Sequence, residues 1–466
     1  MKIHRPGNRS RSHRQLMVWG AACLVLFLSL AGGCVMPAQA QGPDDEALAA
    51  DLVGDAFVAP PPAGLQSQDG SLAPGYSQTS EFFIGRVAVG IVLPESSGSH
   101  DPSTENWTQA ERSLVWDEVT AAMDWWAARE PQAHLTFIYD DGTAAPTATG
   151  YEPINHPQSD QGLWIAEVMS NKGYLGSNYF DQVRQYNNAL RQTHQADWAF
   201  TLFVVDSSND ADGRFAGPDS LFAYAYLNGP FTVITYDNAS YGAHNMDAVV
   251  AHEVGHIFGA LDQYQAAAAG CTQPGGYLGV ENQNSQLGDC ASDVPSIMRG
   301  GVSPYRSGLV DAYARGQVGW RDADGDGILD PLDTPVTLVG PDQSALSQQE
   351  NVFAFSGQLQ QSSYPHSAHS SVLINVFSRV RYRATAGQWM GQWIDVQAAD
   401  GAFDSLAETF TFTTAPLPGG TVTVEAQVTG RFGNQLLVQP MATLDLPGEP
   451  PKVNHTVFLP VITSQE

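Results

Sequence analysis

His252-Glu253-Val254-Gly255-His256-Ile257-Phe258-Gly259-Ala260-Leu261-Asp262 is the stretch on which the reading of this chain turns. On a helix, two histidines four residues apart are offset by about 40° and 6 Å, so both imidazoles can face one ion. Glu253 lies beside them, where a carboxylate can hold a water and take its proton. Gly259 permits a left-handed turn that a β-carbon would make costly. The chain can then swing back and deliver Asp262 as a third ligand. With 12 His in 466 residues, the accidental occurrence of the histidine–glutamate spacing is ~0.01 per chain. A structural zinc site closes its tetrahedron with a fourth side chain, whereas three ligands and a carboxylate keep one place for chemistry.

The flanking sequence predicts a layered α/β unit around this helix, which should run from about Asn245 to Leu261. Strands are expected at Phe82–Leu93, Leu135–Tyr139, Trp198–Val205, Phe222–Leu227 and Phe231–Tyr236. Helices are expected after Thr108, where Glu111 completes a capping box and Val115, Val119, Ala122 and Trp126 share a face, and at Asp181–His194. Glu281 competes with Asp262 as third ligand from a Gly/Asn/Gln-rich loop, and His244, two turns before His252, is read as a residue outside the site.

These residues resemble the metzincin zinc endopeptidases, whose pattern is HExxHxxGxxH or HExxHxxGxxD followed by a Met-turn. The Asp form, with a tyrosine two residues on as in Asp262-Gln263-Tyr264, looks most like the snapalysin type. The resemblance covers roughly residues 81–320. It implies His252, His256 and Asp262 as ligands of a catalytic Zn2+, Glu253 as general base, a tight turn at Gly259, and Met298 of Ser296-Ile297-Met298 beneath the metal. Gly300 stands where some members carry a tyrosine ligand, and no cysteine between 41 and 270 can serve as a latency ligand.

A second motif is Asp322-Ala323-Asp324-Gly325-Asp326-Gly327-Ile328-Leu329-Asp330-Pro331-Leu332-Asp333. Its carboxylates (Asp322, Asp324, Asp326, Asp330, Asp333), the glycine after Asp326 and the main chain of Ile328 follow EF-hand spacing, with Asp in place of the final Glu. It resembles the calcium loops of dockerins and thrombospondin type 3 repeats, and one copy implies a structural Ca2+. A solvated acidic linker is the other reading.

Beyond residue 336 the pattern becomes strand-like without helical period, at Val352–Phe355, Leu373–Arg383, Glu408–Thr414 and Thr421–Thr429. Arg381-Tyr382-Arg383, Gln388-Trp389, Asp400-Gly401-Ala402-Phe403-Asp404-Ser405 and Gly433-Asn434 resemble immunoglobulin-like modules of secreted bacterial proteins. The expected fold is thus an α/β (α+β) metzincin-like zinc protease domain followed by an all-β immunoglobulin-like sandwich. The segments are 1–40 signal peptide, 41–80 pro-segment or linker, 81–321 catalytic domain, 322–335 calcium loop, 336–446 sandwich, and 447–466 linker and apolar tail.

Export is expected from the N-terminus. Five Lys and Arg precede an apolar run from Leu16 to Leu30, too short for a comfortable span, and Ala38-Gln39-Ala40. Ala31-Gly32-Gly33-Cys34 resembles a lipobox, so anchoring through Cys34 is the alternative to a secreted product. Cys271 and Cys290 are the mature pair and should form a disulfide in an oxidising compartment, with zinc ligation the competing reading. The net charge of −28, with Lys plus Arg 21 against Asp plus Glu 49, leaves no basic footprint for nucleic acid. Protein or peptide substrates are the expected partners, with a surface ligand for the sandwich. The rival function is a surface adhesion protein whose zinc fold is an inactive scaffold.

Overall fold

The computed structural model describes residues 56–61, 72–218, 220–347, 350–364 and 371–449. The described residues all fall within one compact unit, 41–466. The segment expected to be a signal peptide, with Cys34, and the apolar tail after 450 lie outside the described residues. Among the described residues, no helix is long and apolar enough to cross a membrane.

In chain order the elements of the first half are β1 (Ala56–Val58), β2 (Arg86–Val92), β3 (Pro94–Ser96), α1 (Gln109–Ala127), β4 (Thr136–Asp141) and β5 (Thr147–Thr149). There follow α2 (Gln161–Asn171), α3 (Tyr179–His194), β6 (Trp198–Val205), β7 (Ala223–Leu227), β8 (Phe231–Thr235) and α4 (Met246–Ile257). Short pieces complete it: β9 (Pro274–Gly275), β10 (Val280–Glu281), α5 (Val302–Ser307) and α6 (Ala312–Gln317). Six strands form one sheet in the order β1-β7-β8-β6-β2-β4, parallel except where β7 meets β8.

Every residue of β6 is buried, as expected of a strand covered on both faces. One face carries α1 and α4, through Val115, Val119, Trp126, Val250 and Val254. The other carries α2 and α3, through Trp164, Ile165, Val183 and Tyr186. α1 starts on the capping box: Glu111 N donates to Thr108 Oγ1 (3.3 Å) and Thr108 N to Glu111 Oε2 (2.7 Å), which satisfies two otherwise orphaned N-terminal amides.

Three details differ from the sequence expectation. The helix carrying the histidines stops at Ile257 rather than Leu261, because Gly259 turns the chain at φ +88°. α2 has no counterpart in the expected order. The segment 41–80 is not a bare linker: Ala56–Val58 adds to the sheet edge beside β7, and Pro74 O accepts from Arg191 Nη1 at 2.6 Å.

The second half is β-rich: β11 (Val336–Ser347), β12 (Val352–Gln361), β13 (Phe377–Ala386), β14 (Trp389–Met390), β15 (Ile394–Ala398), β16 (Ala407–Thr413), β17 (Gly420–Gly430) and β18 (Gln435–Leu446). Instead of two stacked sheets, the strands form one antiparallel sheet in the order β11-β12-β16-β15-β13-β17-β18, with β14 off β13. β15 pairs with both β13 and β16, and the end strands β11 and β18 come back into contact. The sheet nearly closes around Leu359, Phe377, Val380, Phe410, Val424 and Val428.

This β-rich region is packed into the α/β region. Val372 and Ile374 belong to the same core as Phe82 and Trp198. Arg431 Nη2 reaches both oxygens of the buried Asp197 (2.7 and 2.6 Å), and Phe432 lies 5.3 Å from the His134 ring. Leu373 N donates to Leu72 O at 2.7 Å.

Candidate metal centre

The metal motif is assembled by three chain segments. α4 is buried from Ala248 to Ile257, packed on the sheet and on α1, whose Trp126 Nε1 donates to Ala251 O at 2.9 Å. The hairpin between β7 and β8 holds its far end: Asn228 N donates to His256 O at 3.1 Å. A β-carbon on Gly259 would stand 2.5 Å from Gly276 Cα and 2.8 Å from Asn228 Oδ1. Only glycine fits there, both for its φ and for space.

His252 Nδ1 lies 2.8 Å from Ile297 O, and His256 Nδ1 2.7 Å from Ala260 O. A carbonyl oxygen only accepts, so both Nδ1 atoms carry the proton and both Nε2 atoms present lone pairs. The Nε2 atoms are 3.2 Å apart and lie 3.0 and 3.1 Å from Asp262 Oδ1. Three acceptors thus meet in the interior, and Asp262 Oδ1 has no aligned donor there. Burial pushes the His256 imidazole down, but the Asp262 carboxylate outweighs it and holds the ring above its usual value. Burial likewise opposes ionisation of Asp262, and His256 and His252 overcome it, holding the carboxyl well below the usual range. A cation satisfies all three groups at once. Two neutral imidazoles and one carboxylate make a donor set for a divalent transition metal ion.

Glu253 follows His252 on the helix and is fully buried. Met298 is also fully buried, and its Sδ lies 2.6 Å from where a β-carbon on Gly255 would stand. The turn holding Met298 therefore lies against the helix midway between the histidines, and the preceding carbonyl, Ile297 O, fixes His252. Met298 O accepts from Gln263 N at 2.8 Å, which ties this turn to the residue after Asp262. Exposure of His252, Glu253, His256 and Asp262 is at most 3%.

A buried polar network lies behind the third ligand, and the sequence reading missed it. Gln263 Nε2 donates to Asp311 Oδ2 (2.9 Å), Gln263 Oε1 accepts from Asn284 Nδ2 (2.8 Å), and Ser296 Oγ donates to Asp311 Oδ2 (2.7 Å). Asn282 Nδ2 donates to Asp262 O at 2.8 Å. Asp311 is readable as a helix cap before α6, but nothing local announces its link to Gln263. Glu281 is exposed and pairs with Gln283 Nε2 at 2.8 Å, away from the histidines. His244 is exposed, and Gly300 ends the Met298 turn at φ 73°.

In the acidic loop the structure brings carboxylate oxygens of Asp322, Asp324 and Asp326 within 4.8 Å of one another. Asp322 accepts from Gly325 N and Gly327 N (2.8 and 2.9 Å), and Asp326 Oδ1 from Ile328 N (2.8 Å). Burial and the charges of Asp326, Asp324, Asp330 and Asp322 raise the Asp333 carboxyl. Asp330, also expected in the ligand set, meets Arg321 here: its Oδ2 accepts from Arg321 Nε at 2.5 Å and its Oδ1 from Ala323 N at 2.8 Å. Cys271 and Cys290 are disulfide-bonded, with Cα atoms 5.3 Å apart. A further acidic group, Asp400, Asp404 and Glu408, lies in the β-rich region.

No family model matches the chain, and no curated protein matches it. Among solved structures, the sulfane dehydrogenase SoxCD of Paracoccus pantotrophus is 14% identical, covering 23% of each chain at a TM-score of 0.15. The vertebrate-specific astrotactin-2 is 13% identical, covering 32% of this chain and 30% of its own at 0.20. The GH3 β-glucosidase of Bifidobacterium adolescentis is 11% identical, covering 84% and 53% at 0.17. The chain thus spans under a third of the first two neighbours. At these scores none bears on fold or activity.

Proposed function

We propose that this protein is an exported zinc endopeptidase of the metzincin type, acting on extracellular proteins or peptides. The observation that carries the reading is the convergence of His252 Nε2, His256 Nε2 and Asp262 Oδ1, with both Nδ1 protons already committed to carbonyls. Bound there, Zn2+ supplies Lewis acidity toward water and carbonyl oxygen. Ile297 O and Ala260 O keep both rings in the tautomer that presents Nε2 inward. Glu253, beside His252 on a rigid buried helix, accepts the proton of the attacking water on a carboxylate oxygen and passes it to the departing amide nitrogen.

Disulfide pairing of Cys271 with Cys290 supports export, since such bonds persist in oxidising compartments. The burial of all four side chains to 3% exposure or less is the observation behind a second reading, in which an inactive zinc scaffold supports binding by the β-rich region. Cleavage of casein, assayed on purified protein with and without a zinc chelator, separates the two. Chelator-sensitive cleavage restored by zinc supports the peptidase. Zinc-loaded protein that cleaves nothing supports the scaffold.

A further inference from the structure

We propose that Gln317 is a positioning residue of the histidine centre, holding the short stretch of chain that delivers Asp262 to His252 and His256; the inference rests on the metal reading of that site. Gln317 is the last residue of α6 and is fully buried. Its Oε1 accepts from Leu261 N at 2.9 Å, and its Nε2 donates to Val280 O at 3.1 Å. A backbone N–H only donates and a carbonyl only accepts, so the carboxamide has one orientation that serves both. Leu261 and Gln317 are 56 residues apart in the chain, and no local spacing joins them.

The need for such a hold follows from the path of the chain after α4. Ala260 N still reaches back to the helix, at Gly255 O (2.9 Å), while Ala260 O accepts from His256 Nδ1 at 2.7 Å. One residue later the chain has left the helix, and Leu261 N turns to Gln317. One residue after Asp262, Gln263 N donates to Met298 O at 2.8 Å. Asp262 is therefore held between two fixed peptide groups, one tied to α6 and the other to the Met298 turn. Removing the Gln317 carboxamide takes the acceptor from a buried N–H, which is costly as long as the chain stays in place. The chain relieves that cost by moving, and the carboxylate of Asp262 moves with it.

Gln317 is itself wedged. A β-carbon on Gly276 would collide with Gln317 O, and one on Gly275 would stand 2.8 Å from Gly259 O, 2.9 Å from Leu261 Cγ and 3.0 Å from Gln317 Cδ. The Gly259 turn, the end of α6 and the 275–276 segment thus meet at backbone distance, which leaves the Gln317 side chain little room to turn. The next residue, Tyr277, is 1% exposed. Its hydroxyl accepts from Val372 N at 3.2 Å, in the segment that enters β13, and its ring lies 5.0 Å from that of Phe82. Tyr277 is therefore a neighbour as buried as Gln317 whose hydroxyl serves the β-rich region instead of Leu261.

The test uses the full chain, with Zn2+ and Co2+ as probes. Zinc affinity is read by competition with a chromophoric chelator, and the visible absorption of the Co2+-substituted protein reports how the ion is coordinated. Gln317→Leu keeps much of the volume and removes both bonds. It should bind zinc roughly 10–100-fold more weakly than the parent, with altered Co2+ bands. Tyr277→Phe removes the hydroxyl contact to Val372 and should lower the melting temperature while keeping the parent's zinc affinity and Co2+ bands. Gln317→Met provides the same comparison should Gln317→Leu not fold. A merely structural role for Gln317 would lower the melting temperature of both variants and leave zinc affinity and the Co2+ bands as in the parent, and that result would overturn the proposal. A parent that binds neither ion would overturn the metal reading itself, and the proposal with it.

Discussion

Replacing Asp311 with asparagine probes how the third ligand is held. Asp311 uses both oxygens: Oδ1 caps α6 through Tyr313 N (2.9 Å) and Ala314 N (3.3 Å), and Oδ2 accepts from Gln263 Nε2 (2.9 Å) and Ser296 Oγ (2.7 Å). Asparagine has one oxygen to offer. If it keeps the cap, its amide nitrogen faces two donors. Ser296 can rotate its hydroxyl to accept, but Gln263 cannot flip, because its Oε1 already accepts from Asn284 Nδ2. One buried amide donor loses its partner and a charge-assisted bond is lost, a cost of about 2–4 kcal/mol. Gln263 is next to Asp262 and bound through its amide to Met298 O, so the ligand should also lose its fixed position. Loss of such support typically weakens metal binding roughly 10–100-fold. Zinc affinity is measured by competition with a chromophoric chelator, and stability by urea unfolding. Asp293→Asn is the control, since Asp293 is 89% exposed beside Arg299. Zinc affinity within threefold of the parent, with stability changed by less than about 0.5 kcal/mol, would refute the idea that this network positions Asp262.

Four further expectations follow from the same structure. Asp322→Ala with Asp326→Ala should remove the loop's share of calcium stabilisation, about 2.7 kcal/mol at 100 times Kd, without loss of zinc. Asp330→Asn should leave calcium uptake intact, because Arg321 holds Asp330; thermal unfolding and ion analysis check both. Arg431→Ala should destabilise by about 1–3 kcal/mol, since Asp197 is buried and keeps only Arg86 N at 2.8 Å among its close donors; unchanged urea unfolding would show that apolar contacts alone dock the β-rich region. Glu152 and Asp206 are raised by burial to about 7 and about 6 in the folded protein, so they bind more protons folded than unfolded. Their contribution to stability therefore falls as pH rises from about 4 to 7. Urea unfolding between pH 5 and pH 7 checks the slope, and Glu152→Gln should flatten it; an unchanged slope in the variant would contradict this.

What the sequence made legible was local. The spacing of His252, Glu253, His256, Gly259 and Asp262 follows from one helix and one glycine turn, and Thr108 with Glu111 marks a helix start within four residues. Where contacts span longer stretches, the pattern fell silent. Gln263 and Asp311 meet across 48 residues. The near-closure of the second sheet depends on β11 meeting β18, whose half-exposed strands mix polar and apolar residues without clean alternation. Ala56–Val58 is a three-residue strand inside a Pro-rich segment, too short to show a period. Asp330 fits calcium spacing as a sequence, and only the fold shows its bond to Arg321.

The central claim is that His252, His256 and Asp262 hold a zinc ion for chemistry that Glu253 performs. Glu253→Gln tests it most directly, with zinc content and peptide cleavage measured on the same sample. One zinc per chain is expected in parent and variant alike, with kcat/KM for cleavage lowered roughly 10²–10⁴-fold in the variant. A zinc-loaded variant that keeps a tenth or more of the parent's kcat/KM, or a zinc-loaded parent that cleaves no peptide, would contradict it.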